Sequence, residues 1–303
     1  MARAVVFAYH DVGTACLRVL ARHRIDIPLV VTHEDDPREN TWFARVADVA
    51  RELRLAVATP DDPNDPGFVA RIAALAPDFL FSFYYRRMLS PALLATARRG
   101  ALNLHGSLLP RYRGRAPVNW AVLNGEVETG ATLHYMTAKP DAGDIVAQRA
   151  VAIGPDDTAR EVQDRVAAAG AALLDDILPA LVAGTAPRRA NDLAAGSYFG
   201  GRTPEDGRID LAWPARRVHD LVRAVAPPYP GAFVDLPGGR LAVLRTRRLA
   251  APPPGAASST GIYVQGERAF ARCGDGAHLE ILDAAIGGAP AGAAAIAALA
   301  VPR

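Results

Sequence analysis

Lysine and cysteine are the residues that this sequence has least of. Lys139 is the only lysine among 303 residues, so arginine carries nearly all of the positive charge, and the formal net charge is +2. Such a balance favours neither a nucleic-acid partner nor an anionic membrane surface. The two cysteines, Cys16 and Cys273, form no CxxC pair, which argues against a zinc site or a disulfide framework. We therefore expect no metal and a reducing, cytoplasmic compartment.

Long hydrophobic runs are also absent from the sequence. A membrane-spanning helix needs about 18 consecutive apolar residues, and no uncharged stretch of that length occurs. The apolar N-terminal run is too short for a signal peptide, and the alanine-rich segment Ala289–Val301 is too weakly apolar for an anchor. We therefore expect no membrane insertion. Because 50% of the residues are apolar and 22% are charged, the chain can bury the core of one large domain or two ordinary ones.

Short apolar runs alternate with amphipathic segments through the first 184 residues or so. This alternation predicts βαβ units and an α/β domain with a Rossmann-like, mostly parallel sheet, followed by a long helix over Asp157–Gly184. The runs predicted as strands are Ala4–Tyr9, Ile27–Thr32, Ala56–Thr59, Phe79–Phe83, Ala101–Leu104, Ala131–Met136 and Ile145–Ile153.

The composition changes after Gly184. A segment rich in glycine and proline follows, and beyond it a helix is predicted at Ala215–Val225 before several short strands separated by turns. This pattern is typical of a smaller, β-rich domain, such as an OB-like barrel. We predict a catalytic domain over residues 1–190, a linker over 191–205 and the second domain over 206–303.

The first βα turn lacks the G-x-G-x-x-G pattern of dinucleotide-binding folds, so neither a nicotinamide nor a flavin dinucleotide is indicated. Open α/β sheets still bind ligands beyond the carboxyl ends of their strands. Three polar segments occupy such places, at 103–110, 111–120 and 139–144. Asn103 and His105 are two residues apart on a predicted strand, so their side chains point to the same face.

These segments together resemble the formyltransferase family, which includes methionyl-tRNA, glycinamide ribonucleotide and sugar-nucleotide N-formyltransferases. The resemblance is tightest to the formyltransferase domain of the bifunctional UDP-4-amino-4-deoxy-L-arabinose formyltransferase/UDP-glucuronic acid decarboxylase enzymes. It rests on Asn103-Leu104-His105-Gly106-Ser107-Leu108-Leu109-Pro110, Arg113-Gly114, Ala116-Pro117, Trp120 and Asp141-Ala142-Gly143-Asp144-Ile145, and on Phe7–Asp11, Phe81–Arg86, Tyr112–Pro117 and Gly201–Pro204.

The resemblance implies that Asn103, His105 and Asp141 are catalytic and that 10-formyltetrahydrofolate is the formyl donor. The chemistry needs such groups, because an amine that adds to the formyl carbon creates an oxyanion and must lose a proton. Asn103 and His105 could donate to that oxygen, His105 could exchange the proton, and Asp141 could orient the imidazole. The residues that the resemblance places along the folate are Arg87, Met88, Leu89, Arg115, Thr137, Ala138, Lys139, Pro140 and Asp141.

The acceptor is harder to read from the sequence. The resemblance implies the 4-amine of a UDP-linked amino sugar, UDP-4-amino-4-deoxy-L-arabinose, and a role in lipid A modification and polymyxin resistance. The residues predicted to contact the sugar nucleotide are Tyr9, His10, Asp11, Tyr84, Arg86 and Arg202. Each has a structural alternative: Asp11 could cap a helix, Tyr84 and Arg86 could close a strand edge, and Arg202 could pin the two domains together.

Four functions therefore compete. The first is formylation of a sugar nucleotide, for which a dTDP-linked amino sugar is the nearest rival acceptor to the UDP compound. The second is formylation of methionyl-tRNA, which the acidic loop Glu34–Glu39 disfavours by repelling phosphates. A hydrolase would pass the formyl group to water. A non-catalytic folate-binding module belongs to a different class, against which the intact catalytic set argues. We expect small-molecule partners and no nucleic acid, and the sequence indicates no oligomeric state.

Overall fold

The computed structural model describes residues 1–36 and 41–300. The first half of the chain alternates strands with helices, as the sequence predicts. Its strands are β1 (Arg3–Ala8), β2 (Asp26–Val31), β3 (Val57–Ala58), β4 (Phe79–Phe83), β5 (Gly100–His105), β6 (Arg113–Gly114), β7 (Glu128–Tyr135) and β8 (Ile145–Ala152). Its helices are α1 (His10–Arg22), α2 (Val46–Glu52), α3 (Pro66–Ala74), α4 (Pro91–Leu94), α5 (Pro117–Leu123) and α6 (Ala159–Ala183).

Seven of these strands form one sheet in the order β3-β2-β1-β4-β5-β7-β8. The five strands from β3 to β5 are parallel, and β7 and β8 run antiparallel to their neighbours, so the predicted mostly parallel sheet is confirmed. Strands β1 and β4 are buried along almost their whole length, which is typical of a sheet with both faces covered. Phe7, Phe79, Phe81 and Phe83 are among the largest side chains of this core.

Helix α1 follows β1 without a connecting loop. The helix begins at His10, with Tyr9 as an extended N-cap residue that makes no side-chain capping bond. Asp11 therefore does not cap this helix. Its carboxylate instead accepts a hydrogen bond from the Ala44 amide at 2.8 Å and so fixes the loop that carries Trp42. The start of the helix thereby brings His10 and Asp11 to the carboxyl end of the sheet.

The second half of the chain is β-rich, as predicted. One antiparallel sheet runs in the order β10-β11-β14-β13-β12, with β15 paired to β14. The alanine-rich segment contributes β15 and α8. The elements are β9 (Tyr198–Phe199), α7 (Ala215–Val225), β10 (Ala232–Leu236), β11 (Gly239–Arg248), β12 (Gly261–Gln265), β13 (Arg268–Arg272), β14 (His278–Ile286), β15 (Ala289–Pro290) and α8 (Ala293–Ala300).

The chain divides into two compact units that interleave along the sequence. The first comprises residues 1–117, 128–152 and 163–200, and the second comprises 118–127, 153–162 and 201–303. The segment that we predicted as a linker, 191–205, is therefore divided between the units. Its residues up to Gly200 belong to the first unit, where β9 pairs with β6 in a small parallel ladder. The domain bounds 1–190 and 206–303 stay a prediction.

Helix α6 is the one helix of residues 1–36 and 41–300 that is long and apolar enough to cross a membrane by length and composition. One third of its most apolar 18-residue window is buried against the protein. Core helices of globular proteins pass the same test, because a buried helix face needs the same side chains.

Candidate active site

The catalytic candidates meet where the sheet changes from parallel to antiparallel. Strand β5 pairs with β7 in a register that sets Asn103 opposite His134 and His105 opposite Thr132. Directly paired residues of two antiparallel strands share a face of the sheet. Asn103, His105 and His134 therefore lie on one face, at the end of β5 that points toward the active-site cleft.

The carboxylate of Asp141 joins this group from the loop between β7 and β8. Its Oδ1 lies 3.5 Å from each of three nitrogens, the Nδ2 of Asn103, the Nδ1 of His105 and the Nε2 of His134. Its Oδ2 accepts a hydrogen bond from the main-chain N–H of Gly114 at 2.9 Å. The structure thus brings together the three residues that the sequence predicted as catalytic.

The surroundings of Asp141 favour its ionised form. Burial alone would raise the pKa of this carboxyl group, but the neighbouring imidazoles of His105 and His134 and the Gly114 amide outweigh that effect and hold the pKa well below its usual range. The side chain is only 12% exposed. A fixed negative charge therefore lies beside His105 within a largely dry site, where it can orient a ring that carries a proton.

His105 is held at both ring nitrogens. Its Nε2 lies 2.7 Å from the main-chain oxygen of Tyr112, and its Nδ1 faces Asp141. Both neighbours are oxygens that accept hydrogen bonds, so the pocket can accommodate two N–H donors on this ring. The hydroxyl of Ser107 also donates to the Tyr112 oxygen, at 3.3 Å. Because His105 is almost fully buried, its position depends on these few contacts.

His134 is a member of the site that sequence reasoning missed. It is 1% exposed, and its Nδ1 lies 2.8 Å from the oxygen of Tyr135, while its Nε2 lies 3.2 Å from the Nδ2 of Asn103. If Nδ1 donates to Tyr135, then Nε2 can accept one N–H of the Asn103 amide, and this fixes the amide plane. The second N–H of that amide faces Asp141 at the longer distance of 3.5 Å, so it is the donor most easily given to a ligand.

Several residues of this region adopt a left-handed backbone. Positive φ values are rare for residues other than glycine, especially for bulky side chains, and each costs about 1–3 kcal/mol. Such conformations concentrate at functional sites, where the surrounding structure enforces them. Five of the non-glycine residues with positive φ lie at the strand ends and loops of the site, namely His10 (66°), Tyr84 (58°), Tyr112 (58°), Ala116 (50°) and Asp141 (48°).

Most of the residues predicted to line the folate lie on two loops of the first unit, and Arg115 lies on a third. Leu89 is buried in the core, while Arg87 and Met88 are exposed beside it. The side chain of Asn64, which the sequence did not single out, holds this loop by donating to the Met88 oxygen at 2.9 Å and accepting from the Ser90 amide at 2.7 Å. On the other loop, Thr137, Ala138 and Lys139 are exposed, Pro140 is half-buried, and Arg115 lies exposed in the loop after β6.

A cavity of about 440 Å³ borders the second of these loops. A volume of this size is within the range of small-molecule sites. Thr137 is the predicted folate residue among its lining side chains, and the loop residues 142–144 that follow Asp141 form one wall. The lining residues are Leu94, Ala95, Arg99, Gly100, Ala101, Tyr135, Met136, Thr137, Ala142, Gly143, Asp144 and Arg188.

The predicted acceptor residues at the ends of β1 and β4 form an aromatic rim. The ring of His10 stacks on Phe43 at 4.3 Å and meets Trp42 edge-on at 4.5 Å. The guanidinium of Arg86 lies over the ring of Tyr9 at 4.6 Å. Trp42 and Phe43 are additions that the sequence did not indicate, because they follow a loop far from either strand.

Tyr84 connects this rim to the catalytic strand. Its ring lies 6.2 Å from that of His10, and its hydroxyl accepts a hydrogen bond from Gln163 at 3.3 Å. The hydroxyl also occupies the space beside Gly106, where a Cβ atom would collide with it. A side chain at this position, directly after His105, would have to displace the Tyr84 hydroxyl, so Tyr84 packs against the end of β5.

Two further predicted features are Arg202 and the acidic loop Glu34–Glu39. Arg202 belongs to the second unit, where its guanidinium lies 4.8 Å from the ring centroid of Trp120 and burial lowers its pKa. The acidic loop Glu34–Glu39 is described only as far as Asp36. Within it, Asp35 accepts a hydrogen bond from the Tyr9 hydroxyl at 2.9 Å. Residues 37–39 lie outside the part of the chain that the structure describes.

The site thus comprises one carboxylate, two imidazoles and one amide, next to the aromatic rim. It can orient an imidazole, donate hydrogen bonds to a developing oxyanion and pass a proton, the three operations of acyl transfer to an amine. Across residues 1–36 and 41–300, no cluster of three or more His, Cys, Asp or Glu side chains could hold a metal ion.

Comparison with known sequence families decides between the candidate classes. Residues 3–178 match the Formyl transferase family, and residues 202–298 match the Formyl transferase, C-terminal domain, family. The chain belongs to the formyl transferase family. The predicted enzyme class, an N-formyltransferase, and the predicted two-part architecture are thereby confirmed. A non-catalytic module and an unrelated α/β enzyme are correspondingly disfavoured.

Solved structures of this fold include several formyltransferases. The N-formyltransferase from Helicobacter canadensis, solved with folinic acid and dTDP-3-aminofucose, is 17% identical with a TM-score of 0.74, over 93% of this chain and 99% of that one. WlaRD, a sugar 3-N-formyltransferase solved with dTDP and 5-N-formyl-THF, is 16% identical with a TM-score of 0.74, over 92% and 97%. A 4-N-formyltransferase from Francisella tularensis is 18% identical with a TM-score of 0.62, over 77% and 92%. At these identities the likeness establishes the fold.

Proposed function

We propose that this formyltransferase moves the formyl group of 10-formyltetrahydrofolate to the amine of a nucleotide-linked amino sugar. The observation that carries the proposal is the position of Asp141, whose Oδ1 lies 3.5 Å from Asn103, His105 and His134. This arrangement places a hydrogen-bond donor, a proton carrier and a fixed negative charge around one point, which is what amine formylation requires.

The proposed reaction assigns a task to each side chain. The folate supplies the formyl carbon and N10 as the leaving nitrogen. The Asn103 amide and the Nδ1–H of a protonated His105, which lies 3.5 Å from Asp141, donate to the formyl oxygen as the amine nitrogen bonds to the formyl carbon and that oxygen becomes negative. His105 gives its proton to N10 as the C–N10 bond breaks and takes up the proton that the former amine nitrogen loses, so the imidazole ends in the state in which it began. Asp141 holds the His105 ring throughout and forms no covalent bond.

The donor side of the proposal rests on the two loops described above. Leu89 packs in the hydrophobic core of the first unit. The Asn64 side chain holds the loop of residues 87–89 through hydrogen bonds to the Met88 oxygen and the Ser90 amide. Thr137, Ala138 and Lys139 are exposed on the second loop, and Thr137 lines the 440 Å³ cavity. Two of the structural neighbours were solved with folate compounds, folinic acid and 5-N-formyl-THF, which supports a folate donor here.

The acceptor side of the proposal rests on the aromatic rim. Tyr9, His10, Tyr84 and Arg86 offer flat rings, hydrogen-bonding groups and one positive charge, which suit a base, a sugar and a phosphate. The adjacent Asp11 fixes the loop behind them. Arg202, in the second unit, remains a predicted contact for a diphosphate.

We infer a 4-amino sugar linked to UDP, with UDP-4-amino-4-deoxy-L-arabinose as the compound that the sequence resemblance implies. A dTDP-linked amino sugar is the second candidate, because two neighbours of this fold were solved with dTDP compounds. Uracil and thymine differ by a methyl group, a difference typically worth only ~1–3 kcal/mol in a pocket. A role in lipid A modification stays a prediction from the resemblance.

The test is a panel of acceptors incubated with 10-formyltetrahydrofolate, read by mass spectrometry of the products. The panel contains UDP-4-amino-4-deoxy-L-arabinose, a dTDP-4-amino-hexose, dTDP-3-aminofucose and charged initiator tRNA. We expect formylation of a sugar nucleotide and the highest kcat/KM with the UDP-pentose. The Asn103→Ala protein serves as the control for non-enzymatic transfer.

Each other result selects a different function. A higher kcat/KM with either dTDP sugar would replace UDP in the proposal and leave the chemistry intact. Formylation of tRNA alone would refute a sugar acceptor. Release of formate with every acceptor untouched would indicate a hydrolase, and tight folate binding without any turnover would indicate a binding module.

A further inference from the structure

The segment between the two family matches carries contacts to the active site. The matches end at residue 178 and resume at 202, so neither covers residues 179–201. We predicted part of this stretch to be a linker. In the structure, residues 188–199, here called the 188–199 segment, run through the first unit and bond to the loops that hold Asp141 and His105.

The first contact is made by Asn191. Its Nδ2 donates to the main-chain oxygen of Asp141 at 3.0 Å, while its Oδ1 is buried without a hydrogen-bond partner. Asp141 has a φ of 48°, a conformation that must be held in place by its surroundings. A bond to the carbonyl of that same residue is well placed to hold it, and so to fix the direction of the carboxylate.

The second contact is made by Ser197. Its hydroxyl accepts a hydrogen bond from the Tyr112 amide at 2.8 Å, and its main-chain oxygen accepts one from Arg113 at 3.0 Å. Tyr112 also has a left-handed backbone, with φ at 58°, and its oxygen is the one that faces the Nε2 of His105. Ser197 therefore fixes the peptide on which His105 depends.

Main-chain pairing ties the segment to a third point. Strand β9 pairs with β6, and this sets Phe199 beside Gly114, whose amide donates to the Oδ2 of Asp141. The ring of Phe199 stacks on Tyr112 at 5.1 Å. Gly196 passes so close to Pro110 that a Cβ atom would collide with the Pro110 oxygen. The segment has little room to shift without moving the catalytic contacts.

The other end of the segment is anchored beside the Asp141 loop. Arg188 forms an ion pair with Asp144 at 2.7 Å and lies over the ring of Tyr135 at 4.4 Å. Residue 189 exchanges two main-chain hydrogen bonds with Ile145, at 2.7 and 2.9 Å. The loop from Asp141 to Ile145 is thus bonded to the segment at its C-terminal end as well.

We propose that the 188–199 segment is a positioning element of the active site, in which Asn191 and Ser197 set the geometry of Asp141 and of the Tyr112 carbonyl. This inference rests on the catalytic roles proposed for His105 and Asp141. Neither Asn191 nor Ser197 touches the reacting atoms in this proposal; each acts through a group that touches His105 or Asp141.

The kinetic test compares Asn191→Ala, Asn191→Asp, Ser197→Ala and Ser197→Thr with matched controls. Asn119→Ala removes another amide that donates to a main-chain oxygen, that of Ala224 at 2.8 Å, and Thr158→Ala removes another hydroxyl that accepts from a main-chain amide. We expect kcat to fall about tenfold or more in the first three variants with both KM values little changed, because small displacements of catalytic groups are costly. Ser197→Thr should retain most of the activity, and the controls should match the wild type.

The pH profile separates positioning from a general loss of stability. The contacts to His105, His134 and Gly114 hold the pKa of Asp141 low. If Asn191→Ala lets Asp141 turn away from them, that pKa rises, and the acidic limb of kcat/KM moves to higher pH. A lower melting temperature with an unmoved acidic limb and an unchanged kcat would overturn the proposal.

NMR spectroscopy without substrate tests the positioning role separately from the proposed function. It can be measured even if the wild type formylates none of the acceptors. The ring ¹H–¹⁵N signals of His105 and His134, assigned with His→Gln variants, should shift in Asn191→Ala and Ser197→Ala and stay in place in both controls. Unchanged ring signals in the two segment variants would refute the positioning role whatever the activity of the protein.

Discussion

The polar groups at the end of β5 are held by hydrogen bonds, many of them to main-chain atoms, whereas those at the ends of β1 and β4 combine hydrogen bonds with a set of aromatic ring contacts. His105 faces the Tyr112 oxygen at 2.7 Å, and Asp141 accepts from the Gly114 amide at 2.9 Å. His10, by contrast, lies between the rings of Phe43 and Trp42. Both regions include residues with a strained, left-handed backbone.

The two kinds of contact suit two different tasks of the cleft, catalysis and binding of the acceptor. Hydrogen bonds fix the direction of a side chain, which chemistry on a defined carbon atom requires. Ring stacking fixes a plane but tolerates sliding and exchange of one base or sugar for another. Substitutions at the end of β5 should therefore lower kcat, whereas substitutions in the rim should raise the KM for the acceptor. The predictions below test this contrast in order of expected size.

Truncation of the catalytic trio should have the largest effect. We expect His105→Ala or Asn103→Ala to lower kcat by ~10²-fold or more, because each removes a donor to the oxyanion or the group that exchanges the proton. Folate affinity, measured by calorimetry, should change little. His278→Ala, which removes a buried histidine that bonds to Tyr263 in the second unit, is the matched control. Wild-type rates in either variant would remove that residue from the mechanism.

Replacement of the second histidine should have an intermediate effect. His134→Phe keeps a ring at the position but removes the Nε2 that lies 3.2 Å from the Asn103 amide. We expect kcat to fall about tenfold, the cost of releasing an amide from its fixed orientation, with the KM for the acceptor unchanged. An unaltered kcat in steady-state kinetics would show that His134 has only a packing role. The hydrogen-bonded set that controls kcat would then comprise Asn103, His105 and Asp141 alone.

Truncation of the rim should change binding more than turnover. Trp42→Ala removes the ring that meets His10 at 4.5 Å, and stacking on a base is worth about 1–3 kcal/mol. We expect the KM for the sugar nucleotide to rise about tenfold while kcat and the KM for folate stay near wild type. Trp213→Ala, in the second unit, is the control. A fall in kcat with an unchanged KM would show that the rim positions the amine and would break the contrast.

The smallest predicted effect is on the free energy of unfolding and its dependence on pH. Because the pKa of Asp141 is lower in the native protein than in the unfolded chain, the ionised carboxylate stabilises the native state. This contribution is complete above the unfolded pKa, near ~4, and is lost as the pH falls through the lowered native value.

Asp141→Asn provides the measurement, since asparagine keeps the shape and tolerates positive φ. We expect it to lower the free energy of unfolding by about 1–2 kcal/mol at pH 7, with a difference that narrows below about pH 4. Urea denaturation at several pH values measures this difference. An equal or wider difference at low pH would contradict the assigned direction of the pKa shift.

Much of the catalytic site could be predicted from local features of the chain. Asn103 and His105 share a face because side chains alternate along a strand, and Asp141 follows another strand of the same sheet. The alternation of strands and helices likewise predicted the parallel part of the sheet. The positions of these groups follow from spacing and from the rule that open α/β sheets bind ligands at the carboxyl ends of their strands, whereas their catalytic roles are implied by the resemblance to the formyltransferase family.

Other parts of the site depended on contacts between distant segments. Trp42 and Phe43 contact His10, and Asp11 holds their loop by accepting a hydrogen bond from the Ala44 amide. Asn64 lies just before α3 and donates a hydrogen bond to the main-chain oxygen of Met88. The contacts of the 188–199 segment could not be predicted for the same reason, since a composition rich in glycine predicts a loop but says nothing about what the loop contacts.

The sequence by itself determined which chemical groups this protein has at the ends of its strands and on which face of β5 two of them lie. Only the tertiary structure decided that His134 stands opposite Asn103, that His105 faces the Tyr112 oxygen and that residues 188–199 hold both loops. Register explains the difference. Strands β5 and β7 are largely buried on both faces, so apolar alternation does not distinguish one pairing from a neighbouring one. The partner of a buried strand is chosen by the packing of the whole sheet.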